Sequence, residues 1–220
     1  MRKIVLGLLG CFFFFGLSFT AEPIGKAIFS DLLSANRTGT TEDLKWKYQT
    51  LGPVAVVLYC SDPSEDPSAL FSQDKDQLVI VRIAGNMISI AGTFADSVEI
   101  GSIEYAVHYQ GVPLVVVMGH SNCSVVGNVL DLAASDTNAP AGNMNSVFQV
   151  IRPAVTLAMI FGDHRDRELR LAIDENVRNM VLRLKRSRYM LGKLVDAGKL
   201  TIVGCVYNLD NGLVEVINTR

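Results

Sequence analysis

Residues 113–123 read Pro-Leu-Val-Val-Val-Met-Gly-His-Ser-Asn-Cys. The first seven form a continuous apolar run opened by proline. The run is rich in β-branched residues and too short for a helix. Such a run is a strand covered on both faces, the kind found in parallel sheets flanked by helices. Three more runs of this type stand at Pro53–Cys60 (PVAVVLYC), Leu78–Ala84 (LVIVRIA) and Leu200–Tyr207 (LTIVGCVY).

The segments between them have helical spacing. Over Ser97–Gln110, Ile100, Ile103 and Val107 share a face, and Gly111 closes the helix. A helix follows Cys123 to about Ala134. Asp166–Met190 reads as one long helix with a stripe of Leu169, Ile173, Val177, Val181 and Leu184. Residues 22–50 are helix-prone, with Ile28, Leu32 and Leu33 on one face. Trp46, the only tryptophan, is expected to pack against the core or a partner subunit. Ser61–Ser68 (SDPSEDPS) and residues 135–145 read as loops. Asn208–Gly212 carries an Asn-Gly turn, after which Leu213–Ile217 returns antiparallel. The expected fold is α/β: a mainly parallel central sheet of about four strands, an antiparallel C-terminal edge strand, and helices on both faces.

The chain has 220 residues, 49% apolar and 19% charged, which suits one folded domain and excludes a disordered chain. Twenty basic residues against 22 acidic ones leave no basic footprint for nucleic acid. Arg183, Lys185, Arg186 and Arg188 are basic, but they lie where cations complement a helix C-terminus, so they read as a solvated face. Arg2 and Lys3 precede an apolar run from Ile4 to Phe19 that ends in Thr20-Ala21, the pattern of a secretory signal peptide. The run has 16 residues, short for a membrane span. The reading is therefore a signal peptide at 1–21, a single domain at 22–220, and an exported, periplasmic protein free of the membrane after cleavage. An uncleaved anchor, or lipidation at Cys11 within Leu8-Leu9-Gly10-Cys11, are the other readings of this segment. The domain then keeps three cysteines, Cys60, Cys123 and Cys205, an odd number that argues against a paired disulfide framework.

Open α/β sheets bind ligands beyond the carboxyl ends of their strands. One strand ends Tyr59-Cys60-Ser61-Asp62 and another ends Gly119-His120-Ser121-Asn122-Cys123. If these strands are neighbours, Cys60, His120 and Cys123 converge. Cys123 also lies at a helix N-terminus, which favours a thiolate. Two thiolates and an imidazole suit tetrahedral zinc and leave a fourth position for water. The other reading makes Cys60 and Cys123 small buried hydrophobes. Cys205 sits inside an apolar strand and reads as core; His108 and His164 read as surface residues.

Cys60-Ser61-Asp62, Val81-Arg82-Ile83-Ala84-Gly85-Asn86, Gly101–Val107 (GSIEYAV) and Gly119–Cys123 stand in an order that resembles the β-class carbonic anhydrases. Glu175-Asn176-Val177 and Lys199–Gly204 resemble later parts of the same family, so the likeness spans about residues 50–217. It implies a Cys60-His120-Cys123 zinc site and hydration of carbon dioxide to bicarbonate by a metal-bound hydroxide. It also implies a homodimer or higher assembly with sites near the subunit interface. Two thiolates neutralise the metal more than three imidazoles do, so the bound water should be less acidic than the ~7 of an all-His site, and activity should rise with pH. The same scaffold could also hydrolyse carbonyl sulfide or carbon disulfide.

The sequence departs from the family at one motif. The family runs Cys-x-Asp-Ser-Arg, where this chain has Cys60-Ser61-Asp62-Pro63-Ser64. The family's glycine after the second cysteine is Ser124 here. In the family the arginine pairs with the aspartate and keeps it off the metal. Its absence raises an alternative, a zinc-binding relative with little or no activity. It also leads to the expectation that Asp62, the catalytic carboxylate by resemblance, reaches the zinc as a fourth ligand and lowers activity near pH 7. Arg82 is the cation that could take over the pairing instead.

Overall fold

The four apolar runs become strands, with ends within two residues of the expected ones, in a computed structural model that describes residues 22–40, 47, 52–89, 96–135, 142–187 and 189–219. The expectations for residues 1–21, Trp46 and Arg188 lie outside the described residues, as do 136–141 of the expected 135–145 loop. In chain order the elements are α1 (Ile24–Thr38), β1 (Ala55–Tyr59), α2 (Pro67–Leu70), β2 (Leu78–Arg82) and a 3₁₀ turn at Ala84–Asn86. Then come α3 (Asp96–Tyr109), β3 (Leu114–His120), α4 (Ser124–Ala134), α5 (Met144–Phe161), α6 (Arg165–Lys185), α7 (Leu191–Asp196), β4 (Thr201–Tyr207) and β5 (Val214–Ile217).

The sheet has five strands in the order β2-β1-β3-β4-β5. The first four are parallel and β5 joins β4 antiparallel. Successive side chains of a strand point to opposite faces, so a run buried throughout needs cover on both. Val56, Leu58, Val115, Val117, Ile202 and Val206 pack on one face beneath α3, α4, α5 and α6. Val57, Tyr59, Leu114, Val116, Met118 and Cys205 pack on the other, under Ile28, Phe29 and Leu32 of α1. The expected α6 stripe is buried in full. It lies close on the sheet because Gly119 and Gly204 have no side chain: a Cβ on either would come within 2.8 Å of Val177.

Two helical expectations change. The long helix ends at Lys185, not Met190, and a separate α7 follows. Ser187 donates to the Leu184 carbonyl in a closing turn, and Gly192 packs where a Cβ would lie 2.5 Å from the Ser187 oxygen. Helix α5 was not foreseen at all. It carries Pro153 in its interior, and its apolar residues are not confined to one face: Val150, Ile151 and Val155 are buried while Ile160 and Phe161 are exposed. Arg183 is tied to the Ile88 carbonyl at 3.0 Å, so it braces the core edge rather than merely facing solvent.

Candidate metal centre

The strand order reverses direction between β1 and β3, and that is where ligand crevices form in such sheets. Cys60 follows β1 directly, His120 is the last residue of β3, and Cys123 is the N-cap of α4. Tyr59 pairs with Met118, so the two carboxyl ends emerge side by side. Between His120 and Cys123 the chain turns through Asn122 at φ +57°, a left-handed conformation that asparagine tolerates better than most residues. The turn brings both side chains back to one point.

Of the four expected ligands, Cys60, His120 and Cys123 are buried and Asp62 is exposed. The Cys60 and Cys123 sulfurs are 3.8 Å apart. Cys60 Sγ accepts the Gly85 N–H at 3.2 Å and the Asp62 N–H at 3.4 Å. His120 Nδ1 lies 2.9 Å from the Ser121 carbonyl, which can only accept, so Nδ1 carries the proton there. That leaves the lone pair on Nε2, a buried atom with no hydrogen-bond partner among the described residues. One ligand atom from each of Cys60, Asp62, His120 and Cys123 lies within 4.8 Å of the others.

The thiol pair is asymmetric. Cys60 is pulled down, first by the hydrogen bond from Cys123, with the Asp62 and Gly85 amides adding to it against the effect of burial. Cys123 is pushed up, because it keeps its hydrogen on Cys60 and is itself buried. A buried sulfur poised as thiolate beside an imidazole with an orphaned lone pair fits a soft, tetrahedral cation, and these donors suit zinc. The alternative of two inert buried hydrophobes does not account for that lone pair.

Asp62 sits at the rim. Its Oδ2 is 3.8 Å from His120 Nε2. That oxygen also accepts the Ser124 backbone N–H at 2.7 Å, and Oδ1 accepts the Ser124 hydroxyl at 2.8 Å. Arg82, offered by the sequence as the substitute cation, is engaged elsewhere. It donates to the Pro63 carbonyl at 2.8 Å and to the Glu65 carbonyl, and its guanidinium lies 5.3 Å from the centre of the Tyr59 ring.

Sequence reasoning missed two supporting residues. Asn176, 1% exposed on α6, holds the Gly85 carbonyl, and Gly85 in turn aims its N–H at Cys60. Both stand in quoted motifs, but nothing in their spacing says that they meet. Cys205 is buried core, as expected. His108 and His164 are exposed, and His164 also caps α6 by accepting the Arg167 N–H.

The comparisons with known proteins agree with this geometry. The carbonic anhydrase family model matches residues 55–214. Carbonic anhydrase 2 of Mycobacterium tuberculosis is 34% identical over 160 residues, which cover 73% of this chain and 72% of that protein. A solved β-carbonic anhydrase from Coccomyxa, in complex with acetazolamide, superimposes with a TM-score of 0.65 at 24% identity, covering 86% of each chain. Two tetrameric β-carbonic anhydrases from Sordaria macrospora give a TM-score of 0.62 at 18% identity, over 87% of this chain and 98% of theirs. The two structural likenesses speak for the fold, and the family match spans both the cysteines and the histidine at its centre. The chain belongs to the β-class carbonic anhydrase family.

Proposed function

We propose that this protein is a zinc-dependent carbonic anhydrase that interconverts carbon dioxide and bicarbonate. One observation carries the reading: the buried His120 Nε2, without a hydrogen-bond partner among the described residues, shares a point with two sulfurs 3.8 Å apart, in a chain of this family. Cys60, His120 and Cys123 would hold the zinc. Bound there, zinc supplies a Lewis acid that makes water nucleophilic near neutral pH.

The chain's own residues set the rest. The Ser121 carbonyl fixes the His120 tautomer, so Nε2 faces the metal position with its lone pair. The Gly85 and Asp62 amides orient the Cys60 sulfur and draw charge from it. Asp62 offers a carboxylate oxygen 3.8 Å from His120 Nε2, where it can accept a hydrogen bond from a hydroxyl and so orient it toward the substrate. The low-activity alternative rested on the missing arginine. The grip of Ser124 on both Asp62 oxygens speaks against it.

The Arg2-Lys3 and apolar N-terminal pattern supports an exported enzyme, to be checked by fractionation. The exposed Tyr105, Tyr109, Ile160 and Phe161 support a homo-oligomer, to be checked by light scattering. The test of function is zinc analysis with stopped-flow hydration of carbon dioxide. About one zinc per chain is expected, with loss of both zinc and activity in Cys60→Ser, His120→Ala and Cys123→Ser. Full zinc retention in all three variants overturns the site.

A further inference from the structure

We infer that Ser124 is the positioning residue that keeps the Asp62 carboxylate at the rim of the metal site, taking the part that an arginine at position 64 would play. The inference rests on the carbonic anhydrase reading and deepens it.

The carboxylate is held at two points. Oδ2 accepts the Ser124 N–H and Oδ1 accepts the Ser124 hydroxyl, at 2.7 and 2.8 Å. Both donors stand at the first residue of α4, an 11-residue helix whose N-terminus favours negative charge. Among the described residues no other hydrogen-bond donor reaches these oxygens, and His120 Nε2, 3.8 Å from Oδ2, lies beyond hydrogen-bond distance. Arg82 leaves the carboxylate alone and braces the backbone beneath it, through the carbonyls of Pro63 and Glu65. The loop after Cys60 is thus fastened twice, by Arg82 through its backbone and by Ser124 through its acid.

The hydroxyl is the decisive half. Any residue at position 124 other than proline supplies the N–H, but the second donor is the Ser124 hydroxyl, which glycine and alanine lack. With glycine there, Oδ1 loses its partner and the carboxylate can rotate about the remaining bond. The four donor atoms already lie within 4.8 Å of one another, so a loosened Asp62 reaches the metal position. The closed four-donor site expected from the missing arginine is therefore what loss of the Ser124 hydroxyl would produce.

The test uses the zinc protein and its cobalt(II)-substituted form. In the parent, added thiocyanate should change the cobalt d–d bands, because one coordination position is open. In Ser124→Gly and Ser124→Ala the metal content should stay near one per chain while the bands cease to respond to thiocyanate. Hydration turnover at pH 7.5 should fall at least about tenfold, some 1.4 kcal/mol of barrier. Ser124→Thr, which keeps the hydroxyl, should restore both readouts. Adding Pro63→Ser with Ser64→Arg to the Ser124→Gly chain should restore them too. A Ser124→Gly protein with the parent's thiocyanate response overturns the assignment, whatever its activity. A parent without zinc or hydration activity overturns the carbonic anhydrase reading itself, so the two failures are told apart.

Discussion

Asn176 donates a 2.8 Å hydrogen bond to the carbonyl of Gly85, and the N–H of that same glycine points at the Cys60 sulfur 3.2 Å away. Gly85 sits at φ +66°, a conformation that glycine adopts without strain. A helix on one face of the sheet therefore reaches a thiolate at its edge through a single residue. Asn176→Ala should cost about 1–3 kcal/mol, because the buried carbonyl loses its partner. It should also weaken zinc binding by about tenfold or more, as loss of supporting contacts around metal ligands does. Thermal melts and chelator competition measure the two effects. A lowered melting point with unchanged zinc affinity would show that the Gly85 turn holds itself.

Zinc binding should release one proton from the thiol pair. Cys60 is held low and Cys123 high, so the metal-free pair keeps a single proton at pH 8, on Cys123. Zinc takes both sulfurs as thiolates, which expels that proton. Affinity should then rise about tenfold per pH unit between pH 7.5 and 8.5. Calorimetry in two buffers of different ionisation enthalpy counts the protons. Two per zinc would mean that both thiols start protonated.

Removing zinc should expose Cys60 and Cys123 to oxidation. Their sulfurs are 3.8 Å apart, within easy reach of a bond once a small-molecule disulfide serves as oxidant. Cys205 is fully buried, and burial pushes its thiol up, so it should stay unreactive. For protein lacking residues 1–21, thiol titration of the unfolded chain should read one thiol, Cys205, in the oxidised apo form and three after reduction. Equal counts in holo and apo protein after the same treatment would contradict this.

Gly204→Ala should destabilise the fold without touching the site. The new methyl would lie 2.8 Å from Val177 and 3.2 Å from both Val181 and Thr219. Overpacking of this kind costs about 1–3 kcal/mol. The melting temperature should drop by several degrees while zinc stoichiometry holds. An unchanged melt would mean that α6 rides further from the sheet than its contacts imply.

The strands were legible because each is a short β-branched run that could only be buried on both sides. The centre was legible because Cys60 and His120-x-x-Cys123 fall at the ends of two such runs. Helix α5 was not, since Pro153 interrupts its pattern and Ile160 and Phe161 are apolar yet exposed. The end of α6 was overrun because Arg186 and Arg188 are good helix formers; the missing cue was an apolar residue at position 188 to continue the stripe. Ser124 was visible only as a departure from a motif. Its part depends on a loop 62 residues away folding onto it, and no local pattern encodes that meeting.

The reversal of strand order has a kinetic consequence. Cys60 and Cys123, 63 residues apart in sequence, are brought together by the pairing of β1 with β3. Contacts so distant along the chain are slow to form. Zinc should therefore join a sheet whose β1–β3 pairing is already made: metal in the refolding buffer should leave the folding rate nearly unchanged and act by slowing escape from the native state.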